Sequence, residues 1–346
     1  MSKKIHYIAD QLIPWQKTSG RHDLPWQQRY DAYAVWLSEV MLQQTQVGTV
    51  IPYFQRFISK FPDIESLAQA SIDDVLACWS GLGYYSRARN LHRTARMIMQ
   101  DFHGVFPQSR EALQQLPGIG RSTAAAIAVF AFGQRDAILD GNVKRIFARF
   151  FGIDRYSGQS KTLTIMWRLA EESLPQHGSP EELKVYTQAL MDLGATVCVR
   201  NRPLCSQCPL RTRCVAYIQD RVAQLPVSRP RSQMPEKETV FMIYRHENKL
   251  LLEKRPDNGI WGGLWCFPED EPNQNKLKLK KKSSSLALPQ LRHSFTHFKL
   301  LIRPSLQDVI ANNEVSAAFV WKSPEDALML AIPVPVKKLI QQHFIS

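Results

Sequence analysis

The sequence predicts a mainly helical N-terminal region joined to a smaller α+β domain. Three observations carry that expectation. Apolar residues recur at spacings of three and four through the long first part of the chain. Four cysteines crowd together where that pattern ends. A proline-rich break then leads into alternating segments with a hairpin signature. A length of 346 residues suits two or three domains. Hydrophobic residues at 44% against charged residues at 22% are enough to build sizeable cores.

Residues 1–220 read as the helical region. Trp36, Leu37, Val40 and Met41 form one apolar stripe, and Val143, Ile146, Phe147 and Phe150 form another. Residues 221–236 read as a linker, because Leu225-Pro-Val-Ser-Arg-Pro-Arg-Ser-Gln-Met-Pro235 has three prolines and no periodic pattern. Residues 237–346 form the second domain. There, segments 239–244 and 249–252 flank Arg245-His-Glu-Asn248 as a hairpin would.

The charge balance is +13, from 44 basic and 31 acidic residues, which points to a polyanionic partner. No apolar run reaches the ~18–20 residues of a membrane span. The N-terminal Met-Ser-Lys-Lys-Ile-His-Tyr7 lacks the apolar core of a secretory signal. A reducing, cytoplasmic setting is therefore expected. Lys276, Lys278, Lys280, Lys281 and Lys282 read as a solvated loop rather than a binding patch.

Four motifs carry chemistry. Cys198, Cys205, Cys208 and Cys214 stand at x6, x2 and x5 spacings, dense enough to surround one metal centre. Zinc commonly takes four cysteines in paired x2 spacings, and only one such pair is present. The pattern suits a [4Fe–4S] cluster, which also takes four thiolates. Arg200, Arg202, Arg211 and Arg213 make the same loop a phosphate-contacting candidate, whereas Cys78 and Cys266 read as small core residues.

The second motif is Leu116-Pro-Gly-Ile-Gly-Arg-Ser-Thr123, within a helix-hairpin-helix at about 110–131. Gly118 and Gly120 allow a tight turn that presents backbone N–H groups to a phosphate at a helix start. The third is a pair of carboxylates. Asp140, in Ile138-Leu-Asp-Gly-Asn-Val-Lys-Arg145, reads as a helix N-cap and as a carboxylate able to face a cationic centre. Glu39 shares a polar helical face with Gln43 and Gln46 on an otherwise apolar helix. Desolvation there would raise its pKa and make it a usable acid. The fourth, Gly81-Leu-Gly-Tyr-Tyr-Ser-Arg-Ala-Arg89, sets aromatic rings beside cations, as a surface that wedges between bases would.

Together and in this order, these motifs resemble the helix-hairpin-helix DNA glycosylases that carry an iron–sulfur cluster, and among them the MutY-type adenine DNA glycosylases. The resemblance covers roughly residues 22–215. Trp261-Gly-Gly-Leu-Trp-Cys-Phe-Pro268 extends it more weakly into a Nudix-like C-terminal domain. It implies removal of adenine mispaired with 8-oxoguanine or guanine in duplex DNA, with the nucleotide flipped into a pocket.

By the same resemblance, Glu39 protonates the base, Asp140 stabilises the oxocarbenium-like sugar and Asn142 orients this chemistry. Gln44 and Tyr84 insert into the base stack. Gly118, Gly120, Ser122 and Thr123 grip the backbone. Phe295, Thr296 and His297 read the lesion, although Thr296 departs from the Phe-Ser-His common in bacterial members. The four cysteines hold a [4Fe–4S] cluster.

Endonuclease III-like relatives carry a nucleophilic lysine where this chain has Ser122, so a monofunctional enzyme is implied. The C-terminal domain lacks the glutamate-rich helix of Nudix hydrolases, which leaves it a recognition role. A monomer without membrane contact is expected, associated with the nucleoid if the source is bacterial. A bifunctional glycosylase and a catalytically silent iron–sulfur DNA-binding protein are the rival readings. Ser122 opposes the first, and the pair Glu39 and Asp140 opposes the second.

Overall fold

The computed structural model describes residues 2–29, 31–229, 234–269, 279–295, 297–310, 316 and 318–345. The chain divides into two compact units. One comprises Met1–Ala68 with Arg93–Arg231, and the other Gln69–His92 with Ser232–Ser346. The segment carrying Tyr84 thus groups with the C-terminal part of the chain. No helix among the described residues is long and apolar enough to cross a membrane.

The helices in chain order are α1 (Ser2–Ser19), α2 (Ala32–Leu42), α3 (Val47–Lys60), α4 (Ile64–Gln69), α5 (Ile72–Trp79) and α6 (Ser86–Asp101). They continue with α7 (Arg110–Leu113), α8 (Arg121–Phe132), α9 (Gly141–Phe151), α10 (Ser160–Glu172), α11 (Pro180–Asp192) and α12 (Val215–Ile218). Helix α8 is the centre of the first unit. Residues Ala124 to Phe130 are all buried, as expected of a helix apolar on every side. It packs on α2, itself buried along most of its length.

Local chemistry sets the boundaries. Ser179 and Glu182 form a reciprocal capping box at the start of α11, with Pro180 in the first turn. Helix α9 starts at Asp140, whose side chain accepts from the Val143 N–H at 2.8 Å, and ends at Gly152 in the left-handed region. A π-turn, Leu193–Val197, continues α11 and packs against α9.

The second unit holds a mixed sheet with strands β1 (Glu236–His246), β2 (Lys249–Lys254), β3 (Trp265–Cys266), β4 (Lys280–Lys281), β5 (Leu286–Ala287), β6 (Leu291–Ser294), β7 (Lys299–Ile310) and β8 (Phe319–Lys322). The main order is β3-β2-β1-β7-β4. Strands β1 and β7 pair in parallel from Glu236↔Lys299 to Arg245↔Asp308. The expected hairpin is present, with His246 opposite Lys249. Helices α13 (Pro324–Met329) and α14 (Val334–His343) close the unit. Tyr244, Leu251 and Val309 anchor one core cluster. Cys78 and Cys266 are buried, as read from the sequence.

Candidate active site

A cleft of about 740 Å³ opens in the first unit. Glu39, Ser122, Thr123, Asp140 and Asn142 all line it. Glu39 comes from the last turn of α2, Ser122 and Thr123 from the first turn of α8, and Asp140 and Asn142 from the start of α9. Gln43 and Gln46 also line the cleft, but not by the helical-face argument. Helix α2 ends at Leu42, and a turn over 43–46 carries both side chains there. Inside that turn Gln44 adopts φ 57°, a conformation that costs a side-chain-bearing residue energy. Gln44 is exposed.

The two carboxyls differ in environment. Burial, and after it the negative charge of Asp140, push Glu39 up to about 8. Burial also raises Asp140 above the ordinary aspartate range. Opposing this, N–H groups of Val143 and Asn142 donate to it, and Arg145 and Lys144 lie close. Asp140 is thus both the N-cap of α9 and a carboxylate with several partners for its ionised form. Glu39, facing a like charge, keeps its proton at neutral pH.

The turn before α8 is tied to the cleft. Gly118 sits at φ 79°, and its carbonyl lies 3.5 Å from the Gln43 amide nitrogen, which also reaches Thr123 Oγ1 at 3.4 Å. Gly120 is the N-cap of α8. Ser122 Oγ accepts from the Leu139 N–H at 3.0 Å, fixing the chain just before Asp140.

Several cleft residues carried no role in the sequence reading. Arg145 Nη2 donates to Asn142 Oδ1 at 2.8 Å and to the Gly194 carbonyl at 2.7 Å, while its Nε donates to the Cys198 carbonyl at 2.7 Å. The i,i+3 spacing of Asn142 and Arg145 on one helix was the available signal. A Cβ on Gly194 would collide with the Asn142 side chain, so this position needs glycine for close packing. Arg21, also in the lining, pairs with the fully buried Asp192 at 2.8 Å.

Beyond α9, Cys198, Cys205, Cys208 and Cys214 line one largely apolar cavity. Burial pushes Cys208 up to about 12 and raises Cys205 and Cys214, with neighbouring cysteines adding to each. Thiols that oppose one another's ionisation need a multiply charged cation to ionise together, so the donor set fits a metal centre. Among the described residues no group of three or more His, Cys, Asp or Glu side chains is arranged to hold a single metal ion. Buried Arg149 braces the loop, donating to the carbonyls of Val199 at 2.7 Å, Arg200 at 3.0 Å and Leu225 at 2.8 Å. Arg200, Arg202, Arg211 and Arg213 are exposed, with Arg213 stacked over Tyr7 at 4.3 Å.

In the second unit, Tyr84 is 45% exposed at φ 49°. The motif at 81–89 reads as a surface with Arg87 and Arg89 as its cations, and the structure turns both inward. Arg87 is buried beneath Trp79 and Tyr84 and donates to the Gly83 carbonyl at 3.2 Å. Arg89 donates to the Gly262 carbonyl. Phe295 stacks on Phe298 at 4.5 Å and meets Trp261 at 5.5 Å. His297 is exposed, and Thr296 lies outside the described residues. Of the lysine run, Lys280, Lys281 and Lys282 are exposed, and Lys276 and Lys278 lie outside the described residues.

A helical scaffold with a glycine-turned hairpin beside a two-carboxyl cleft defines a class of base-excision enzymes. Residues 37–172 match the HhH-GPD superfamily of base excision DNA repair proteins, and residues 239–342 match the NUDIX domain. A thermostable thymine-DNA glycosylase has a similar structure, with TM-score 0.57 and 28% identity, over 63% of this chain and 98% of that one. The adenine DNA glycosylase of Buchnera aphidicola (Acyrthosiphon pisum) is 38% identical over 97% of each chain. The Homo sapiens adenine DNA glycosylase is 34% identical over 96% of this chain and 73% of its own. The chain belongs to the adenine DNA glycosylase family.

Proposed function

We propose that this chain excises adenine mispaired with 8-oxoguanine or guanine from duplex DNA, hydrolysing the N-glycosidic bond without cutting the strand. The observation that carries the reading is the pair of carboxyls on one cleft, Glu39 held protonated and Asp140 set among donors and cations. Glu39 gives its proton to the imidazole-side nitrogen of the flipped adenine, and the C1′–N9 bond breaks with a neutral base leaving. The Asp140 carboxylate faces the positive charge that develops on the sugar. Water then adds at C1′, and its proton passes to Glu39, restoring the starting state. Asn142 orients this chemistry, with its own amide held by Arg145.

Gln44 and Tyr84 enter the base stack, and their left-handed backbone supports that reading by aiming exposed side chains from tight turns. Gly118, Gly120, Ser122 and Thr123 hold the flipped strand at the start of α8. Phe295, Thr296 and His297 read the opposing base. Cys198, Cys205, Cys208 and Cys214 hold a [4Fe–4S] cluster, which supplies a rigid, charged scaffold for the basic loop when bound. The protein acts as a monomer in the cytoplasm, at the nucleoid in a bacterial cell.

A duplex carrying adenine opposite 8-oxoguanine, assayed with and without alkali, tests the activity. Base release with strand breaks only after alkali is expected. Equal breakage without alkali would refute the monofunctional reading, and absence of base release would refute the enzyme. Iron and sulfide analysis should find four of each per chain. Stoichiometric zinc would overturn the cluster.

A further inference from the structure

We infer that Arg89 is a positioning residue that locks the turn carrying Tyr84 to the turn beneath the lesion-reading aromatics. The inference rests on the proposed roles of Tyr84 and Phe295. Both segments belong to one compact unit.

The linkage can be followed atom by atom. Tyr84 lies just past the turn closed by the Leu82 N–H on the Trp79 carbonyl at 3.0 Å, and the Trp79 indole N–H holds the Gly83 carbonyl at 3.1 Å. Helix α6 starts two residues later and carries Arg89 in its first turns. The Arg89 guanidinium donates to the carbonyl of Gly262. Gly262 follows Trp261, which sits at φ 56° and packs its ring against His293 at 5.8 Å and Phe295 at 5.5 Å. One hydrogen bond therefore joins the helix behind Tyr84 to the residue next to the ring that supports Phe295.

Two further contacts hold the same parts in register. Lys254 Nζ lies 2.7 Å from both carboxylate oxygens of Asp73 on α5. The Tyr85 hydroxyl donates to the Ile332 carbonyl at 3.3 Å. The turn bearing Gly262 is tight in itself, since a Cβ there would collide with the Asp257 carbonyl, and a Cβ at Gly263 would touch Leu76 and the Arg89 stem at ordinary contact distance.

The chemical reason for the arrangement is strain. Tyr84 and Trp261 both hold left-handed backbone that L-residues adopt at a cost. Such conformations persist where surrounding contacts over-determine them, and a charged donor on a carbonyl is among the stronger single contacts available. A ring that enters the stack and a cluster that reads the opposing base must act on the same base pair. Fixing one to the other converts the presence of the lesion into the depth of insertion.

The test uses the full chain and duplexes with adenine opposite 8-oxoguanine or guanine. Single-turnover rates give the preference for the lesion, and 2-aminopurine beside the target adenine reports unstacking. Arg89→Ala should lower the lesion preference about tenfold, the scale of one charge-assisted hydrogen bond. It should also dim the unstacking signal, with thermal unfolding of the sheet unit little changed. Arg89→Lys, which keeps a donor, should recover part of both.

As a second route, Lys254→Asp should lower the preference and the swapped pair Lys254→Asp with Asp73→Lys should restore it. Tyr84→Ala separates the two levels of inference. If it leaves unstacking unchanged, the insertion role of Tyr84 fails and the coupling falls with it. If Tyr84→Ala dims the signal while Arg89→Ala and Lys254→Asp do not, the coupling alone is overturned.

Discussion

Replacing Glu39 with glutamine should make the protein more stable, and increasingly so as pH rises. In the unfolded chain this carboxyl ionises near 4.5, whereas burial and Asp140 hold it protonated to about 8 in the cleft. Below 4.5 both states keep the proton, and the carboxyl exacts no penalty by this route. Between 4.5 and 8 the unfolded chain sheds a proton that the folded chain retains, so unfolding is favoured progressively. Above 8 both states are ionised and the full penalty is in place.

At about 1.36 kcal/mol per tenfold step, that penalty is about 3 kcal/mol at pH 7 and about 5 kcal/mol above pH 8. A neutral amide of the same shape escapes it. Urea unfolding followed by circular dichroism, which the helical unit dominates, should show the variant's advantage widening by about 4 kcal/mol between pH 5 and 8.5. An advantage constant across that range would refute desolvation as the origin of the shift. One that narrowed would show that the carboxyl is ionised in the folded state. The same substitution should reduce base release by about 10²–10⁴-fold, the usual contribution of a positioned acid.

Asp140→Asn keeps an N-cap, so stability should change by less than about 0.5 kcal/mol while base release falls at least about 10²-fold. Because that variant removes the like charge facing Glu39, the alkaline limb of any residual activity should move below pH 8. Gly194→Ala should cost about 1–3 kcal/mol in unfolding and cut base release, because the new methyl displaces Asn142. If it released adenine at the normal rate, close packing at Asn142 would be irrelevant to the chemistry. Duplex affinity, measured by fluorescence anisotropy, should fall about 10³-fold between 50 and 200 mM salt if about six phosphates are contacted. A flat salt response would contradict the basic surface as a DNA footprint.

Much of the site was legible because its residues keep fixed local spacing. Asp140 before a helix, the glycine turn before α8 and the clustered cysteines each announce a local geometry. The cleft position of Glu39 is also legible, because a carboxylate on an otherwise apolar helix needs a polar opening to face. Gln43 and Gln46 reach the cleft through a turn that no periodicity describes, since Gln44 bends the chain without being glycine.

What the sequence concealed depends on distant partners. Arg87 and Arg89 look like surface cations in a basic chain, yet one is buried under aromatic rings and the other bonds to a carbonyl 173 positions away. Gly194 reads as an ordinary helix-end residue until Asn142 is seen against it. Thr94, Arg149 and Asp192 are likewise polar residues whose burial no local pattern reveals.

Arg149 couples the opening of two stretches of chain that are distant in sequence. Its guanidinium holds carbonyls at Val199, Arg200 and Leu225, and lies 3.4 Å from Cys198 Sγ. The stretch that leaves the helical unit is thus tied at the same point as the start of the cysteine loop. Opening the loop takes Val199 and Arg200 off the guanidinium that also holds Leu225, so the amides of the two stretches should exchange with solvent together.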